Sequence, residues 1–409
     1  MELCAAARDI ARARVRTHHA HSTRRRTAVL ARAVCRTAAL ARAARDELSL
    51  ASAHLVRLHL ADVAASALTG CARLGVAPRG GGGGSDDEDG AAPAASAWAS
   101  DDYSDAARRA RLAAALAQQG PAKSPFWRAR IVARAARSWD DFYGAHGAFF
   151  ADRAWLERDF VALRRARHAR VSLLEFGCGT GASFLPLLER LPQLAVTAFD
   201  LSPRAVALAR EHATFAANAH RACVFAGDAT DARLAAAVAG AHAAAGAALV
   251  HAPAADARGF DCVLMLFMLS AMPTDAHARI FAAAAGLLRA GGLLLFRDYG
   301  EGDEAQTRFG RGAKLVDDGS VMVRRDGTLA AFLRLEDVAR AAAAAGLEGT
   351  AADAGAAAQP PHAADAAAPE PAAPVAGAAY MYRAYMNRKT GETLRRVFVH
   401  AVFRKPTVA

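Results

Sequence analysis

The middle of the chain alternates short apolar runs with amphipathic stretches. Four runs have the length of buried strands: residues 171–176, a run ending at Asp200, a run ending at Asp228, and residues 260–266. Amphipathic stretches with helical spacing follow at residues 182–190, 203–211 and 276–289. Strands that alternate with helices predict βαβ units and a right-handed, mostly parallel sheet.

The last part of the chain predicts how this sheet ends. Gly291 and Gly292 form a turn before a fifth strand at residues 293–296. Residues 380–387 and 393–404 alternate in polarity, which is typical of two antiparallel strands, and residues 389–391 join them. The expected fold is therefore α/β, with a mostly parallel sheet of seven strands that ends in an antiparallel C-terminal hairpin.

A glycine-rich turn follows the first predicted strand. Residues 175–181 read Glu-Phe-Gly-Cys-Gly-Thr-Gly, so glycines stand where the backbone must approach a ligand closely. The pattern indicates a nucleotide-like cofactor. Gly177, Gly179 and Ala182 also satisfy the dinucleotide pattern G-x-G-x-x-G/A. The glycines therefore leave a nicotinamide cofactor open, and also an ordinary turn without a ligand.

Acidic residues end the second and third predicted strands. Asp200 stands where a carboxylate can accept two ribose hydroxyls, and Asp228 follows the third strand, beside Ala229. Either acid alone also fits a helix N-cap or a turn. Because the carboxyl ends of parallel strands meet at one edge of the sheet, two acids beside the glycine turn favour a cofactor site.

Two further segments belong to the same edge of the predicted sheet. Residues 267–273 follow the fourth strand, which ends at Leu266, and residues 297–300 follow the fifth. In a doubly wound sheet the chemistry lies beyond the carboxyl ends of the strands. These segments are therefore expected to form the rim of an active site. The candidate catalytic residues in them are Ser270, Arg297 and Asp298.

Composition divides the 409 residues into three parts. Residues 1–120 are rich in Ala and Arg and contain a glycine run followed by acids, which predicts a disordered extension. We expect residues 121–165 to form a helical segment that covers the site. Residues 166–406 are expected to form the catalytic domain, with loop insertions at residues 232–257 and 351–379.

The formal net charge of +11 is concentrated near the N-terminus. Residues 1–50 contain 11 Arg against four acids, which gives +7 for this segment alone. Such a segment fits an organellar transit peptide, a nucleic-acid-binding arm or a disordered extension of biased composition. No apolar run is long enough to span a bilayer. We expect a soluble, cytoplasmic protein, with a mitochondrion or other organelle as the alternative.

The cysteines are scattered through the chain. They are Cys4, Cys35, Cys71, Cys178, Cys223 and Cys262. None forms a C-x-x-C pair or has a nearby His at metal-ligand spacing, so we predict no zinc site, no other metal and no disulfide. Cys178 lies inside the glycine turn without a partnered His, and we interpret it as a small residue beside a ligand, not as a nucleophile.

Several ordered segments carry a resemblance to a known family. They read Trp-Asp-Asp-Phe-Tyr at 139–143, Phe-Asp-Leu-Ser-Pro-Arg-Ala-Val at 199–206, Phe-Arg-Asp-Tyr-Gly at 296–300 and Val-Arg-Arg-Asp-Gly-Thr at 323–328. With the glycine turn, which resembles motif I of class I S-adenosylmethionine (SAM) methyltransferases, they resemble the eukaryotic tRNA 3-methylcytidine methyltransferases, the methyltransferase-like 2, 6 and 8 group. The resemblance runs from about residue 139 to residue 406.

The resemblance implies a Rossmann-like class I SAM-dependent methyltransferase that methylates N3 of a cytidine in the tRNA anticodon loop. Its cofactor would be SAM, and an aminoacyl-tRNA synthetase or another protein that presents the tRNA would be a possible partner. The implied cofactor-binding residues are Glu175, Gly177, Gly179, Gly181, Asp200, Asp228, Ala229 and Leu266. The candidate RNA-binding residues are Arg153, Arg308, Lys314, Arg324 and Arg325. Those that follow the fifth strand fit phosphate binding or, alternatively, a solvated basic face.

Two roles within this site follow from the chemistry of the reaction. The methylated base is a cation, so Asp298 is the candidate carboxylate that stabilises the growing charge and accepts a hydrogen bond from the exocyclic amine. Alternatively, Asp298 only pairs with Arg297 or caps the next turn. Aromatic residues of the helical segment fit a lid over SAM, a base-stacking surface or a buried helix face. They are Trp139, Phe142, Tyr143, Phe149, Phe150 and Trp155.

The chain also departs from the family pattern. Val321-Met322 stands where an aromatic pair is usual, residues 329–331 replace a more aromatic run, and Ala151 stands where Lys is common. These differences predict weaker or altered RNA binding. The alternatives are a SAM methyltransferase acting on another RNA or on a small molecule, and a catalytically silent RNA-binding homologue.

Overall fold

The computed structural model of the protein describes residues 105–147, 149–245, 259–350, 375–386 and 393–407. Predictions for residues 1–104, for residues 246–257 and 351–374 of the two loop insertions, and for the turn at residues 389–391 lie outside the described residues. All statements about the fold below refer to the described part of the chain.

Five parallel strands form the centre of the sheet. They are β1 (Val171–Phe176), β2 (Leu194–Asp200), β3 (Ala222–Ala226), β4 (Phe260–Leu266) and β5 (Leu288–Tyr299). Their spatial order is β3-β2-β1-β4-β5, so the order reverses beside β1. Every residue of β1 and β2 is buried, as expected for parallel strands that are covered on both faces.

Antiparallel strands complete the sheet. β10 (Thr393–Arg404) pairs antiparallel with β5 on one edge and with β9 (Ala378–Met386) on the other. The two-residue strand β8 (Glu348–Gly349) pairs with the end of β10 beyond β9. β8 and β9 therefore share one edge position, which makes eight strands where seven were expected. The prediction of a mostly parallel α/β sheet with an antiparallel C-terminal hairpin is confirmed.

Helices and short elements fill the connections. The helices are α1 (Asp105–Gln118), α2 (Pro125–His146), α3 (Leu156–Asp159), α4 (Phe184–Arg190), α5 (Pro203–Glu211), α6 (Ala213–Ala217), α7 (Leu234–Ala245), α8 (His277–Leu287), α9 (Glu304–Thr307) and α10 (Leu335–Ala344). Single turns of 3₁₀-helix occupy Leu269–Ala271 and Thr274–Ala276, a longer one occupies Val161–Arg167, and β6 (Val321–Val323) and β7 (Leu329–Ala331) form a separate hairpin.

The sheet separates two apolar layers. Leu174 and Phe176 point into the layer that contains Phe281 of α8, whereas Leu173 points into the layer that contains Phe184 of α4. This alternation follows from the two-residue period of a strand. The helices therefore lie on both faces, and the carboxyl ends of β1, β2, β4 and β5 meet at one open edge.

The structure differs from the sequence prediction at Gly291 and Gly292, which lie inside β5 and not in a turn before it, and at two alanine-rich places. α1 falls inside the segment expected to be disordered, and α7 falls inside an expected loop. Alanine, leucine and arginine have high helix propensity, and tertiary contacts fix such a helix when they are available. In α1, Leu112 is buried and the Arg108 guanidinium donates to the Glu301 carbonyl and lies 5.0 Å from the Tyr380 ring centroid.

A buried ion pair joins α9 to β10. Arg396 Nε donates to both carboxylate oxygens of Asp303, at 3.1 and 2.9 Å. Asp303 also caps α9 by accepting the Ala305 N–H at 2.8 Å, and it accepts the Val397 N–H at 2.8 Å. Because both charged side chains are buried, removal of either one leaves the other without its partner.

We predict that Asp303→Ala lowers the free energy of unfolding by about 3–5 kcal/mol, because the buried Arg396 guanidinium loses the Asp303 carboxylate and the Ala305 and Val397 N–H groups lose their acceptor. Urea denaturation followed by circular dichroism measures the change. The matched control is Asp337→Ala, which removes an exposed partner of Arg340 and is expected to cost at most about 1 kcal/mol. Equal losses in the two variants would contradict a structural role for the buried pair.

Candidate active site

The glycine turn connects β1 to α4 at the open edge of the sheet. Gly177, Gly179 and Gly181 all have positive φ, at 68°, 53° and 97°. A Cβ atom on Gly177 would lie 2.4 Å from Met268 Cγ, and one on Gly179 would lie 2.7 Å from Tyr143 Oη. Glycine is therefore required both by backbone conformation and by close neighbours, and the turn is held tightly.

Asp200 closes this turn from the end of β2. Its Oδ2 accepts the Gly179 N–H at 2.8 Å, and its Oδ1 accepts the Ser202 N–H at 2.9 Å. Burial raises the pKa of this carboxyl, and the two N–H donors oppose that rise. A carboxylate offers about four acceptor positions, so about two remain for a ligand such as a ribose diol.

Helix α2 is attached to the same corner through Asp140. Asp140 Oδ1 accepts the Ser202 hydroxyl at 2.7 Å and the Arg204 N–H at 3.1 Å, and Oδ2 accepts Arg204 Nε at 3.1 Å. The Ser202 hydroxyl also accepts the Ala205 N–H, which caps α5. Sequence reasoning missed Asp140, although it lies in the Trp-Asp-Asp-Phe-Tyr segment that carried part of the resemblance.

Tyr143 of α2 lies buried over the glycine turn. This position supports the interpretation of the helical segment as a cover over the cofactor site. Its neighbours Phe142, Phe149 and Phe150 form a half-buried cluster with ring centroids 5.2–6.0 Å apart. The cluster packs ring against ring, so for these residues the aromatic spacing reflects packing at least as much as ligand contact.

Glu175, the last but one residue of β1, is a buried carboxyl group below the turn. It is 1% exposed, and its Oε2 has no hydrogen-bond partner. Burial raises its pKa to about 8, while a hydrogen bond from Ser183 and the charge of Arg153 oppose the rise. A buried oxygen without a donor is unfavourable unless a ligand supplies one. This site therefore fits the ammonium group of the methionine part of SAM.

Arg153 lies at the catalytic edge. The Arg153 guanidinium is 4.6 Å from the Phe267 ring centroid. The backbone N–H of Arg153 donates to the Ala182 carbonyl at 2.8 Å. Its charge opposes the burial-driven rise in pKa at both Glu175 and Asp298. The structure thus brings Arg153 to the cofactor end of the site, whereas the sequence assigned it to RNA.

Asp298 ties the loop after β4 to the end of β5. Its Oδ2 accepts the Ser270 N–H at 2.9 Å, and its Oδ1 accepts the Tyr299 N–H at 2.8 Å. Burial raises its pKa to about 6, and the bonds from Ser270 and Tyr299 oppose the rise. Both Asp298 and Ser270 are buried, so the carboxylate has no exposed oxygen for the base. The expected direct contact is corrected to the alternative role, in which Asp298 caps the turn.

Phe267 starts this loop in a strained conformation. Its φ is +53°, and its N–H donates to the Arg297 carbonyl at 2.9 Å. A bulky side chain rarely adopts this conformation, which costs on the order of 1–3 kcal/mol. The Phe267 ring contacts the rings of Tyr299 and Phe398 at 5.2 and 5.5 Å. These contacts hold the ring at the edge where chemistry is expected.

Arg297 does not belong to the rim. It is 3% exposed and lies on the opposite face of β5 from Asp298. Its guanidinium donates to Asp159 at 2.7 Å and lies 3.9 Å from the Trp155 ring centroid. Burial alone would raise the pKa of Asp159, but the Arg297 charge and hydrogen bonds lower it to about 2. The prediction of a catalytic Arg297 is wrong, since the residue anchors α3 to the sheet.

The remaining predicted cofactor residues line the same edge. Asp228 is half-buried, and its Oδ1 accepts the Thr230 N–H at 2.8 Å and the Thr230 hydroxyl at 2.7 Å. Asp228 therefore stabilises a turn, as the alternative interpretation from the sequence expected. Ala229 follows Asp228 in the chain and is buried, and Leu266 is buried at the end of β4. The Gly227 N–H donates to the Asp200 carbonyl at 2.9 Å, which keeps the two strand-end acids adjacent.

The predicted RNA-binding residues separate into two groups. Arg308 and Arg325 are exposed, and Arg308 pairs with Glu304 at 2.7 Å. Arg324 donates to the Leu329 carbonyl at 2.6 Å and so braces its own hairpin. Lys314 is 8% exposed and donates to the Leu116 carbonyl at 3.2 Å. The assignment of Lys314 to RNA is wrong, because its ammonium group caps α1.

The residues of the β6–β7 hairpin that differ from the family pattern lie in the packed interior. Val321, Met322, Leu329 and Ala330 are all buried. Smaller or aliphatic side chains therefore replace aromatic ones inside a core cluster, not on an exposed face. The sequence-based inference that these changes weaken RNA contact has no support from their positions.

The described part of the chain contains no disulfide and no cluster of potential metal ligands. Cys178, Cys223 and Cys262 are buried and free, and burial raises the pKa of each thiol. No group of three or more potential metal ligands occurs among the residues described. Across those same ranges, no helix has the length and apolar character needed to cross a membrane.

Comparison with known proteins identifies the class to which this site belongs. A family described as "Methyltransferase domain" matches residues 107–352. The chain is therefore a methyltransferase, and S-adenosylmethionine is its cofactor, in agreement with the glycine turn, Glu175 and Asp200.

Curated relatives define the class further. The Mus musculus protein "tRNA N(3)-cytidine methyltransferase METTL6" is 32% identical over 287 residues, which cover 69% of this chain and 85% of the relative. The Schizosaccharomyces pombe protein "tRNA N(3)-methylcytidine methyltransferase trm141" is 34% identical over 219 residues, or 53% of this chain and 81% of the relative. The chain belongs to the tRNA N(3)-cytidine methyltransferase family, and the resemblance predicted from sequence is confirmed.

We predict that Glu175 makes the ligand-free protein less stable as the pH rises. Because the folded pKa is about 8 and the ordinary value is 4.5, the folded state holds a proton that the unfolded chain releases. This contribution is complete below about pH 4.5 and is lost as the pH rises through 8. The melting temperature should fall between about pH 5 and about pH 9, and Glu175→Gln should reduce that slope.

Differential scanning fluorimetry across this pH range measures the slope. Glu211→Gln, which changes an exposed glutamate, is the matched control and should keep the wild-type slope. Equal slopes in wild type and Glu175→Gln would contradict a buried proton at Glu175.

Proposed function

We propose that the protein transfers the methyl group of SAM to N3 of a cytidine in the anticodon loop of a tRNA. The observation that carries the proposal is the buried Glu175 carboxyl group, whose Oε2 has no partner, directly below a glycine turn closed by Asp200. Family membership supports tRNA as the substrate. The anticodon loop is favoured because unpaired loop bases can be turned outward into a pocket at lower cost than paired ones.

The side chains at the edge fit the separate parts of SAM. Glu175 would bind the ammonium group and Arg153 the carboxylate of the methionine part. Asp200 would accept the ribose hydroxyls, and Asp228 the adenine amine. Buried Ala229 and Leu266 would pack against the adenine ring. This assignment pairs the ammonium and carboxylate groups of the cofactor each with a buried or half-buried group of opposite charge.

SAM supplies an electrophilic methyl group on a sulfonium centre. Cytosine N3 carries a lone pair at neutral pH, so the attack needs no strong general base. The chain then has to orient the base, exclude water and place charge suitably. Phe267, held at positive φ at the rim, is positioned to contact the incoming base, and Tyr143 covers the turn from the other side.

Asp298 contributes from beneath this rim. It holds the loop that carries Phe267 and Ser270, and its negative charge lies where the cytosine ring becomes cationic. A charge that is buried and fixed by backbone donors acts more strongly than one in water. We therefore propose that Asp298 positions the loop and stabilises the transition state without touching the base.

The proposal also covers the residues that contact the tRNA backbone, a protein partner and the cellular compartment. Arg308 and Arg325 are exposed and suited to phosphate contacts. A synthetase or another protein that presents the tRNA remains a proposed partner, and the proposed compartment is the cytoplasm, with an organelle as the alternative. A second candidate activity, methylation of a small molecule, is disfavoured by the exposed arginines that follow β5.

Incubation with SAM and total tRNA should yield 3-methylcytidine, detected by mass spectrometry after RNA digestion. Asp200→Asn should lower SAM affinity by about 10- to 100-fold, because hydrogen bonds to charged groups contribute about 1.5–3 kcal/mol. The double variant Arg308→Ala, Arg325→Ala should bind tRNA more weakly, because two exposed positive charges suited to phosphate contacts are lost. Its SAM affinity should equal that of wild type, because neither residue belongs to the cofactor site.

Three results would count against this proposal in different ways. SAM binding without methylated cytidine would indicate another substrate or a missing partner. Loss of both would favour a silent RNA-binding homologue. The reverse pattern, with the Arg308 and Arg325 variant impaired in SAM binding, would refute the separation of the two surfaces.

Asp298→Asn should leave SAM affinity within about 3-fold and lower kcat by about 10- to 100-fold, since one fixed charge is lost. Because burial raises the pKa of Asp298 to about 6, wild-type kcat should also fall as the pH drops through that value, and the variant should lack this inflection. Single-turnover assays with Asp275→Asn as an exposed control measure both effects. An unchanged kcat would exclude the proposed role.

A further inference from the structure

A cluster of arginines surrounds one buried carboxylate away from the glycine turn. An open pocket of about 590 Å³ occurs here, and we call it the Glu157 pocket. It is lined by Ala154, Glu157, Arg158, Arg164, Arg167 and Arg190. None of these residues belongs to the cofactor site, and neither the reaction nor the family comparison assigns them a role.

Glu157 fixes the pocket from inside. Its Oε2 accepts Arg167 at 2.7 Å and its Oε1 accepts Arg190 at 2.7 Å, while its backbone carbonyl accepts Arg164 Nε at 2.7 Å. Three arginines from the 3₁₀-helix and from α4 are therefore held around one group. Such preorganisation lowers the cost of ordering side chains when a ligand binds.

The cluster keeps an excess of positive charge. Two carboxylates, Glu157 and Asp159, pair with three of its four arginines, and Asp159 is shared with Arg297. The side chains of Arg158 and Arg167 are 68% and 51% exposed. Within the described residues, each guanidinium uses a single nitrogen in these bonds. The remaining guanidinium donors take no part in these bonds, and the arginines that carry them line the pocket.

The chemistry of these donors selects the ligand. A guanidinium presents a planar fork that matches the oxygens of a phosphate, and several converging forks favour a group with many acceptors. The pocket also begins at Ala154, the residue next to Arg153, and consecutive Cα atoms are about 3.8 Å apart. The lining of the pocket is therefore continuous in sequence with a residue of the catalytic edge.

We propose that the Glu157 pocket binds a phosphate group of the tRNA backbone. This inference rests on the proposed function for its ligand, because tRNA is the polyanion that the catalytic edge would hold. The pocket positions the RNA without taking part in methyl transfer, and it acts together with the exposed Arg308 and Arg325 on the β5 side.

The test compares two double variants that each remove two positive charges. Arg158→Gln, Arg164→Gln changes the pocket, and both side chains are exposed, so Glu157 keeps Arg167 and Arg190. Arg279→Gln, Arg340→Gln changes exposed positions on α8 and α10 as the matched control. The pocket variant should weaken tRNA binding by about 10-fold and lower the slope of log K against log salt by about 1 to 2. The control should change both much less.

Separate measurements keep this inference distinct from the proposed function. SAM affinity should stay at the wild-type value in both variants, and in methylation assays the pocket variant should raise KM for tRNA with kcat unchanged. If no 3-methylcytidine forms but the pocket variant still loses tRNA affinity, the reaction assignment fails and the pocket assignment stands. If methylation proceeds at the wild-type KM, the pocket assignment fails alone.

A second experiment changes the RNA and compares wild type with the pocket variant. Synthetic anticodon arms, each with one phosphate replaced by a neutral methylphosphonate, should show weakened binding at one or two positions in wild type. The same replacement should cost nothing further in the pocket variant. Equal tRNA affinity, salt slope and KM in pocket and control variants would overturn the inference and leave an acidic protein surface as the ligand class.

Discussion

The carboxylate of Asp200 is the group on which the organisation of the site depends. At the end of β2 it accepts N–H groups from the glycine turn and from the β2–α5 loop. Through Ser202 it is linked to Asp140 and hence to α2. A buried carboxylate must be satisfied by nearby donors, so the turn, the loop and the covering helix take up one arrangement.

The catalytic edge concentrates carboxyl groups in a buried environment that opposes their ionisation. Glu175, Asp200 and Asp298 lie at the ends of three strands, and burial raises the pKa of each. Such an edge is unfavourable by itself and becomes favourable when it holds cations. The reaction moves positive charge from a sulfonium to a cytosine ring, so the same field suits the bound donor and the methylated product.

Arginines outside this edge fall into two groups: some are buried in ion pairs, and others are exposed to solvent. Arg297 and Arg396 are buried in ion pairs that attach α3 and α9 to the sheet. Arg308, Arg325 and the arginines of the Glu157 pocket are exposed or partly exposed. The excess of basic residues thus serves both packing and surface charge, and only position in the fold separates the two uses.

The sequence by itself determined the order of strands and helices, because apolar runs and their spacing depend on local chain geometry. β1, β4 and α5 have the predicted bounds. It also determined the glycine turn and the family, because positive φ and close approach restrict those positions to glycine. α1 and α7 were missed because alanine-rich segments form helices only where tertiary contacts stabilise them.

Only the tertiary structure decided what the charged residues do. Arg297 and Asp298 are neighbours in sequence, yet the two-residue period of β5 sends them to opposite faces of the sheet. Lys314 resembles an RNA ligand until α1 supplies a carbonyl for its ammonium group. The environment of a charge depends on partners that lie far away in sequence, and the local pattern of residues does not contain them.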